Sequence, residues 1–176
     1  MKTGRSRRNS MWRRGATCHF YRDLCQMKRT RKSPRRYFSG LSKGATRRRR
    51  SEIAKFGSMG SRNRRAYTGF HTDKGRKTRR SKYTERWTRA FPKAKSLEER
   101  AAASGVPVRY LRQCYNRGMA AWRTGHRPGA TQQQWGYARV SSLLTCGKTY
   151  HTTDSDIVKA AKASSAGAAK WFAKCR

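Results

Sequence analysis

Forty-five lysines and arginines stand against eight carboxylates in this 176-residue chain, a formal net charge of +37. Self-repulsion on that scale works against a compact monomer, so the chain is expected to meet its counter-charge in a partner: nucleic acid, an anionic membrane face or an acidic protein. Only 35% of the residues are hydrophobic and 30% are charged, so a core can exist only where the apolar residues gather. The charge is uneven. Residues 1–95 hold 32 basic and 4 acidic side chains, net +28, whereas residues 96–176 hold 13 and 4, net +9. This asymmetry places a boundary at residue 95, and the three helix-start signals read below predict a mainly α chain. A small helical domain of three to five short helices spans 96–176, behind a long, extended, irregular basic arm over 1–95.

Within the arm no helical or alternating period is sustained. Basic clusters recur instead, each followed by an aromatic and often a glycine. Arg35-Arg36-Tyr37-Phe38-Ser39-Gly40 and Arg64-Arg65-Ala66-Tyr67-Thr68-Gly69 match in register, with looser echoes at Tyr83 and Trp87. The pattern reads as low-complexity basic sequence with scattered anchors rather than a tandem unit. Arg47-Arg48-Arg49-Arg50 is the densest block; Ser51–Phe56 could add one helical turn, and glycines at 40, 44, 57, 60, 69 and 75 should break anything longer.

At Ser96 the grammar changes. Ser96-Leu97-Glu98-Glu99 reads as a capping box, and Thr131-Gln132-Gln133-Gln134 as a second. The first helix should stop at Gly105, and Pro107 can open the next, which carries Val108, Leu111 and Tyr115 on one stripe to about Gly118. Leu111, Tyr115, Trp122, Trp135 and Leu143 are the expected helical core. Thr153-Asp154-Ser155-Asp156 gives a third N-terminal signature, and the Ala-rich tail from Ala168 to Cys175 should be helical. The 96–118 hairpin has the outline of a helix-turn-helix, with Arg109, Arg112, Asn116 and Arg117 outward, although two helices around a glycine turn more often serve packing alone.

Arginine forks grip phosphate oxygens bidentately, and interleaved aromatics can stack on bases or wedge into a groove. The expected polyanion contacts are therefore Arg35, Arg36, Arg47, Arg48, Arg49, Arg50, Arg64, Arg65, Arg79 and Arg80, with Tyr37, Phe38, Tyr67 and Trp87 as aromatic anchors. No catalytic set is apparent: the carboxylates are scattered, several already explained as caps, and neither a phosphate loop nor a Ser/His/Asp pattern occurs. No metal site and no cofactor are expected, because Cys18, His19 and Cys25 offer three ligands at unsuitable spacing. Five cysteines, an odd number with no secretory signal ahead, are expected to be reduced thiols. The Arg-rich, acid-poor start could be taken for a transit peptide, but the same composition continues to residue 95.

From Gly105 to Val158 the sequence resembles an uncharacterised family of small proteins from large algal DNA viruses and cyanophages. Gly105-Val106-Pro107-Val108-Arg109-Tyr110-Leu111, Tyr115-Asn116-Arg117-Gly118 and above all Trp122-Arg123-Thr124-Gly125-His126-Arg127-Pro128-Gly129 carry the likeness. The resemblance implies a virion-associated, non-enzymatic role. On that basis the chain is expected to be a minor capsid or internal protein, assembled in the infected cell's cytoplasm beside other capsid proteins. It would neutralise acidic capsid faces, the inner membrane or the DNA genome, with no small-molecule substrate. The alternatives are a sequence-non-specific DNA-condensing protein and a ribosomal-type RNA binder.

Overall fold

Helix formation begins well before residue 95 in the computed structural model, which describes residues 33–175. After a 3-10 turn at Arg35–Tyr37, helix α1 (Lys43–Ser58) is capped by Ser42, whose Oγ accepts from the Ala45 N–H at 3.3 Å. The single turn expected over Ser51–Phe56 is thus a helix of 16 residues that contains the whole Arg47–Arg50 block. Gly44 and Gly57 do not break it, because they occupy its first and last turns, where a glycine costs little of the ladder. Two more 3-10 turns follow, Arg64–Tyr67 and His71–Asp73. Then come α2 (Lys82–Ala90), α3 (Leu97–Ser104), α4 (Val108–Trp122), α5 (Gln132–Leu144), the single turn α6 (Lys148–His151), α7 (Ser155–Ser164) and α8 (Ala166–Phe172). The mainly α class stands, with no strand among the described residues; six α-helices, one of them a single turn, follow residue 95, where three to five short ones were expected, and α1 and α2 precede it.

The expected boundary at residue 95 does not appear. Residues 35–175 gather in one compact unit, and the reason is packing across that boundary. Trp87 of α2 is 1% exposed inside the larger core, beside Leu97, Val106, Leu111, Cys114, Val140 and Leu143. Its ring stacks on Phe91, with centroids 4.6 Å apart, and its indole N–H donates to the Ala94 carbonyl at 2.9 Å. A second, smaller core joins Phe56 of α1 and Phe70 to Trp122 at the end of α4, with Ile53, Met59, Tyr67 and Trp135 against it. The extended-arm description therefore fails for residues 35–95; residues 1–32 lie outside the described part, with Cys18 and Cys25.

Both capping boxes form as read: the Ser96 side chain accepts from the Glu99 N–H and Glu99 returns to the Ser96 N–H, and Thr131 and Gln134 do the same. Each such cap is worth about 1 kcal/mol. Leu111, Trp122 and Leu143 are buried as expected, while Tyr115 and Trp135 are half-buried against the two cores. The third signature has another cause. Asp154 makes no side-chain cap; it is fully buried, accepting from Arg139 Nε at 2.8 Å and Nη2 at 2.7 Å, with Arg117 at 3.4 Å and the Cys114 thiol at 3.3 Å. Burial and the neighbouring carboxylate push the Cys114 thiol far up, so it stays protonated and donates. Nor are all cysteines thiols: Cys146, in the turn after α5, is disulfide-bonded to Cys175, with Cα atoms 5.3 Å apart. Their separation of 29 residues carries no local pairing signal; only the return of α8 to the end of α5 brings them together. Trp171 of α8 strengthens that return by donating to the Leu144 carbonyl at 3.1 Å.

Candidate polyanion-binding surface

Four consecutive arginines on a helix cannot all face one way, and α1 sorts them. Arg47, Arg48 and Arg50 are exposed, whereas Arg49 is 0% exposed. Arg49 thus drops out of the expected polyanion contacts. Its guanidinium lies 4.5 Å over the Phe70 ring and donates to Thr72 Oγ1 at 2.9 Å, Asp73 Oδ1 at 2.7 Å and the His126 carbonyl at 2.7 Å. The inward stripe Arg49, Ile53, Phe56 is spaced i, i+4, i+7, which is the sequence signal that could have marked Arg49 as the odd member of its block.

Asp73 completes this junction. Its second oxygen meets His126 Nε2 at 2.7 Å, and Oδ1 also accepts from the Gly129 N–H at 2.9 Å. Burial alone would raise the Asp73 carboxyl, but hydrogen bonds from His126 and Gly129, with the charge of Arg49, hold it below the usual range. His126 Nδ1 faces the Trp122 carbonyl at 2.9 Å. Both ring nitrogens are thus engaged, and the ring stacks on Trp122 at a centroid distance of 4.1 Å. Arg123 donates from Nη1 to the carbonyls of Phe56, Gly57 and Met59, at 3.3, 3.0 and 2.6 Å, closing the C-terminal end of α1. The Trp122–Gly129 run is thereby accounted for as a clamp that fixes α1 to the α4–α5 connection.

What the clamp displays is positive charge. Every lysine and arginine from 35 to 95 is exposed except Arg49, so Arg35, Arg36, Arg47, Arg48, Arg50, Arg64, Arg65, Arg79 and Arg80 all face solvent. The described carboxylates are spent on the chain itself. Glu52 accepts from the His71 N–H and Thr72 Oγ1, Glu99 closes its capping box, and Asp73, Glu98, Asp154 and Asp156 pair with arginines; only Glu85 makes no such contact. Among the described residues, ion pairs with carboxylates therefore engage Arg49, Arg112, Arg117 and Arg139 but no exposed lysine or arginine between 35 and 95.

The two matched segments of the sequence are matched in structure. Arg35–Tyr37 and Arg64–Tyr67 are both 3-10 turns, each followed by a glycine at positive φ, Gly40 at 74° and Gly69 at 95°. In each the aromatic turns inward and the two arginines outward. Tyr37 meets the Trp135 ring at 6.0 Å, Tyr67 donates to the Ser61 carbonyl at 2.8 Å, and Phe38 is half-buried with Arg50 5.5 Å over its ring. With Trp87 in the core, none of the four expected anchors is free to stack on a base; each anchors the fold instead. No Phe, Tyr or Trp among the described residues is exposed.

The profile of a family described as a family of unknown function (DUF5824) matches residues 34–160, almost the start of the compact unit. No curated protein and no solved structure matches the chain.

Proposed function

The chain belongs to the DUF5824 family, whose function is unknown, and we propose that it is a non-enzymatic structural protein that lays a rigid arginine-rich surface along a polyanion. The observation that carries this is the division of charge: all but one of the described carboxylates are engaged by the chain's own groups, and the cations of residues 35–95, Arg49 apart, are held outward on a folded scaffold. Among polyanions, nucleic acid suits this surface best. Arginine forks match phosphate geometry, whereas at an anionic bilayer the described surface, with no exposed aromatic to insert, would be held by charge alone. The resemblance noted in the sequence supplies the setting, a particle of a large DNA virus, where the helical unit would dock beside other capsid proteins.

The direct test is the salt dependence of binding by the full chain to a 30-base-pair duplex and to anionic vesicles. A steep fall of log K with log salt is expected for the duplex, and replacing Arg47, Arg48 and Arg50 by alanine should flatten the slope by roughly 0.9 for each phosphate that is no longer neutralised. A flat slope with the intact protein would refute the reading. Mass spectrometry of purified particles tests the setting separately: the chain should be found in them, and its absence there would remove the virion role while leaving the binding chemistry.

A further inference from the structure

We infer that α3, its connecting turn and α4 form a helix-turn-helix whose α4 presents a reading face to the major groove of duplex DNA. This rests on the nucleic-acid reading above and adds a second, sequence-sensing site. The scaffold comes first. Helix α3 ends at Gly105, which adopts φ 69° and donates to the Ala101 carbonyl; a side chain would be strained there, so the turn to α4 takes only residues 105–107. Val106 in that turn is 1% exposed, and Leu111 and Cys114 on the inner side of α4 are 0% exposed. These three fix the rotation of α4 about its axis, and the close approach of Gly118 to Gly136 braces it against α5.

The opposite side of α4 is then determined. Arg109, Arg112, Gln113, Asn116, Arg117 and Ala120 line one shallow concavity of about 540 Å³. Their spacing places them on a single stripe over three turns of the helix, about the reach of a helix laid in a major groove. Arginine, glutamine and asparagine are the side chains that pair bidentately with guanine and adenine edges there. Ala120 is the one apolar residue on the stripe, so it presents no large apolar side chain as an anchor for another protein. RNA is disfavoured because the deep, narrow major groove of an A-form helix does not admit such a face.

The arginines are also held ready. Arg112 pairs with Glu98 at 2.8 Å, but both side chains are more than half exposed, so the pair can be exchanged cheaply for a base edge. Arg109 lies along Tyr110 with Nη2 donating to its hydroxyl at 3.1 Å. Arg117 is gripped by both oxygens of Asp156, at 2.7 and 2.5 Å, which draws the Asp156 carboxyl down to about 2. Arg117 is therefore a fixed edge of the face, and Arg109, Arg112, Gln113 and Asn116 are its readers.

The test is selection of duplexes from a random pool by the full chain, followed by affinities for the enriched and a scrambled site at one salt concentration. The intact protein should enrich a short motif and prefer it about tenfold or more. The triple variant Arg109→Ala, Gln113→Ala, Asn116→Ala should lose that preference while keeping its melting temperature and a salt slope within about one phosphate of the parent's, since all three residues are exposed. Steep but sequence-blind binding by the intact protein would overturn this inference and leave the general one standing. Preference retained by a folded triple variant would overturn it too, and a flat salt slope with no duplex binding would end both.

Discussion

Asp73 is where three remote parts of the chain are tied: α1 through Arg49, the α4–α5 connection through His126, and the backbone of Gly129. Removing one partner of a buried charged pair leaves the other uncompensated, at a cost of about 3–5 kcal/mol. Asp73→Ala should therefore lower unfolding stability by that order in a denaturant titration, and a loss below about 1 kcal/mol would show that water replaces the carboxylate freely. The pH sign follows from the same geometry. The folded carboxyl is depressed, so its contribution is complete above the ordinary aspartate value of about 3.9 and is lost as pH falls through the lower folded value. The acid limb of the stability curve should be shallower in Asp73→Ala than in the parent. Only the inward direction of Arg49 was legible in the sequence, through its i, i+4, i+7 stripe with Ile53 and Phe56; its partners, 24 and 77 residues away, were not.

Helix boundaries were legible wherever a cap writes them locally, as at Ser96 and Thr131, and the helices read from Ser96, Pro107, Thr131, the Asp154 segment and the Ala-rich tail all form. Pairing between helices was not, because it depends on small residues meeting across the fold. A Cβ built at Gly118 would lie 2.8 Å from the Gly136 Cα and 3.2 Å from the Arg139 Cβ. Backbone cannot yield as a side-chain tip can, so Gly118→Ala should push α4 from α5 and cost about 1–3 kcal/mol. A melt of that variant at or above the parent temperature would mean the two helices slide apart without penalty. The last helix is held by covalent means. Closing a loop of 29 residues is worth about 3–4 kcal/mol in the chain-entropy account. Reductant should therefore bring down the unfolding midpoint of the intact protein, while Cys175→Ser should melt at the reduced value with or without it. Equal midpoints for oxidised and reduced protein would show that Trp171 and Phe172 hold α8 unaided.

At the scale of the whole molecule, charge asymmetry was read correctly as composition and wrongly as architecture. Sparse apolar residues in 35–95 looked insufficient for a core because they are: Phe56, Phe70 and Trp87 are buried only by insertion against Trp122, Leu111 and Leu143 from the other half. The exposed cations were not folded away in the process, so the native unit carries a self-repulsion that an expanded chain would relieve. Its buried pairs, Arg49–Asp73 and Arg139–Asp154, are shielded from salt, whereas its surface charges lie within reach of screening over roughly 10 Å at 0.1 M. Added salt should thus remove more repulsion than attraction. Raising sodium chloride from about 20 to 500 mM should increase the melting temperature of the isolated protein, by about 5 °C if 1–2 kcal/mol of repulsion is screened. Saturating duplex at the low-salt end should raise it further by mass action, about 2.7 kcal/mol at a hundredfold excess over the dissociation constant. The two effects must then oppose each other, since the salt that stabilises the free protein releases it from DNA. A melting temperature that falls as salt is added to the free protein would mean that attractive surface pairs dominate, and that the outward cations are not the strained reserve of charge that their exposure implies.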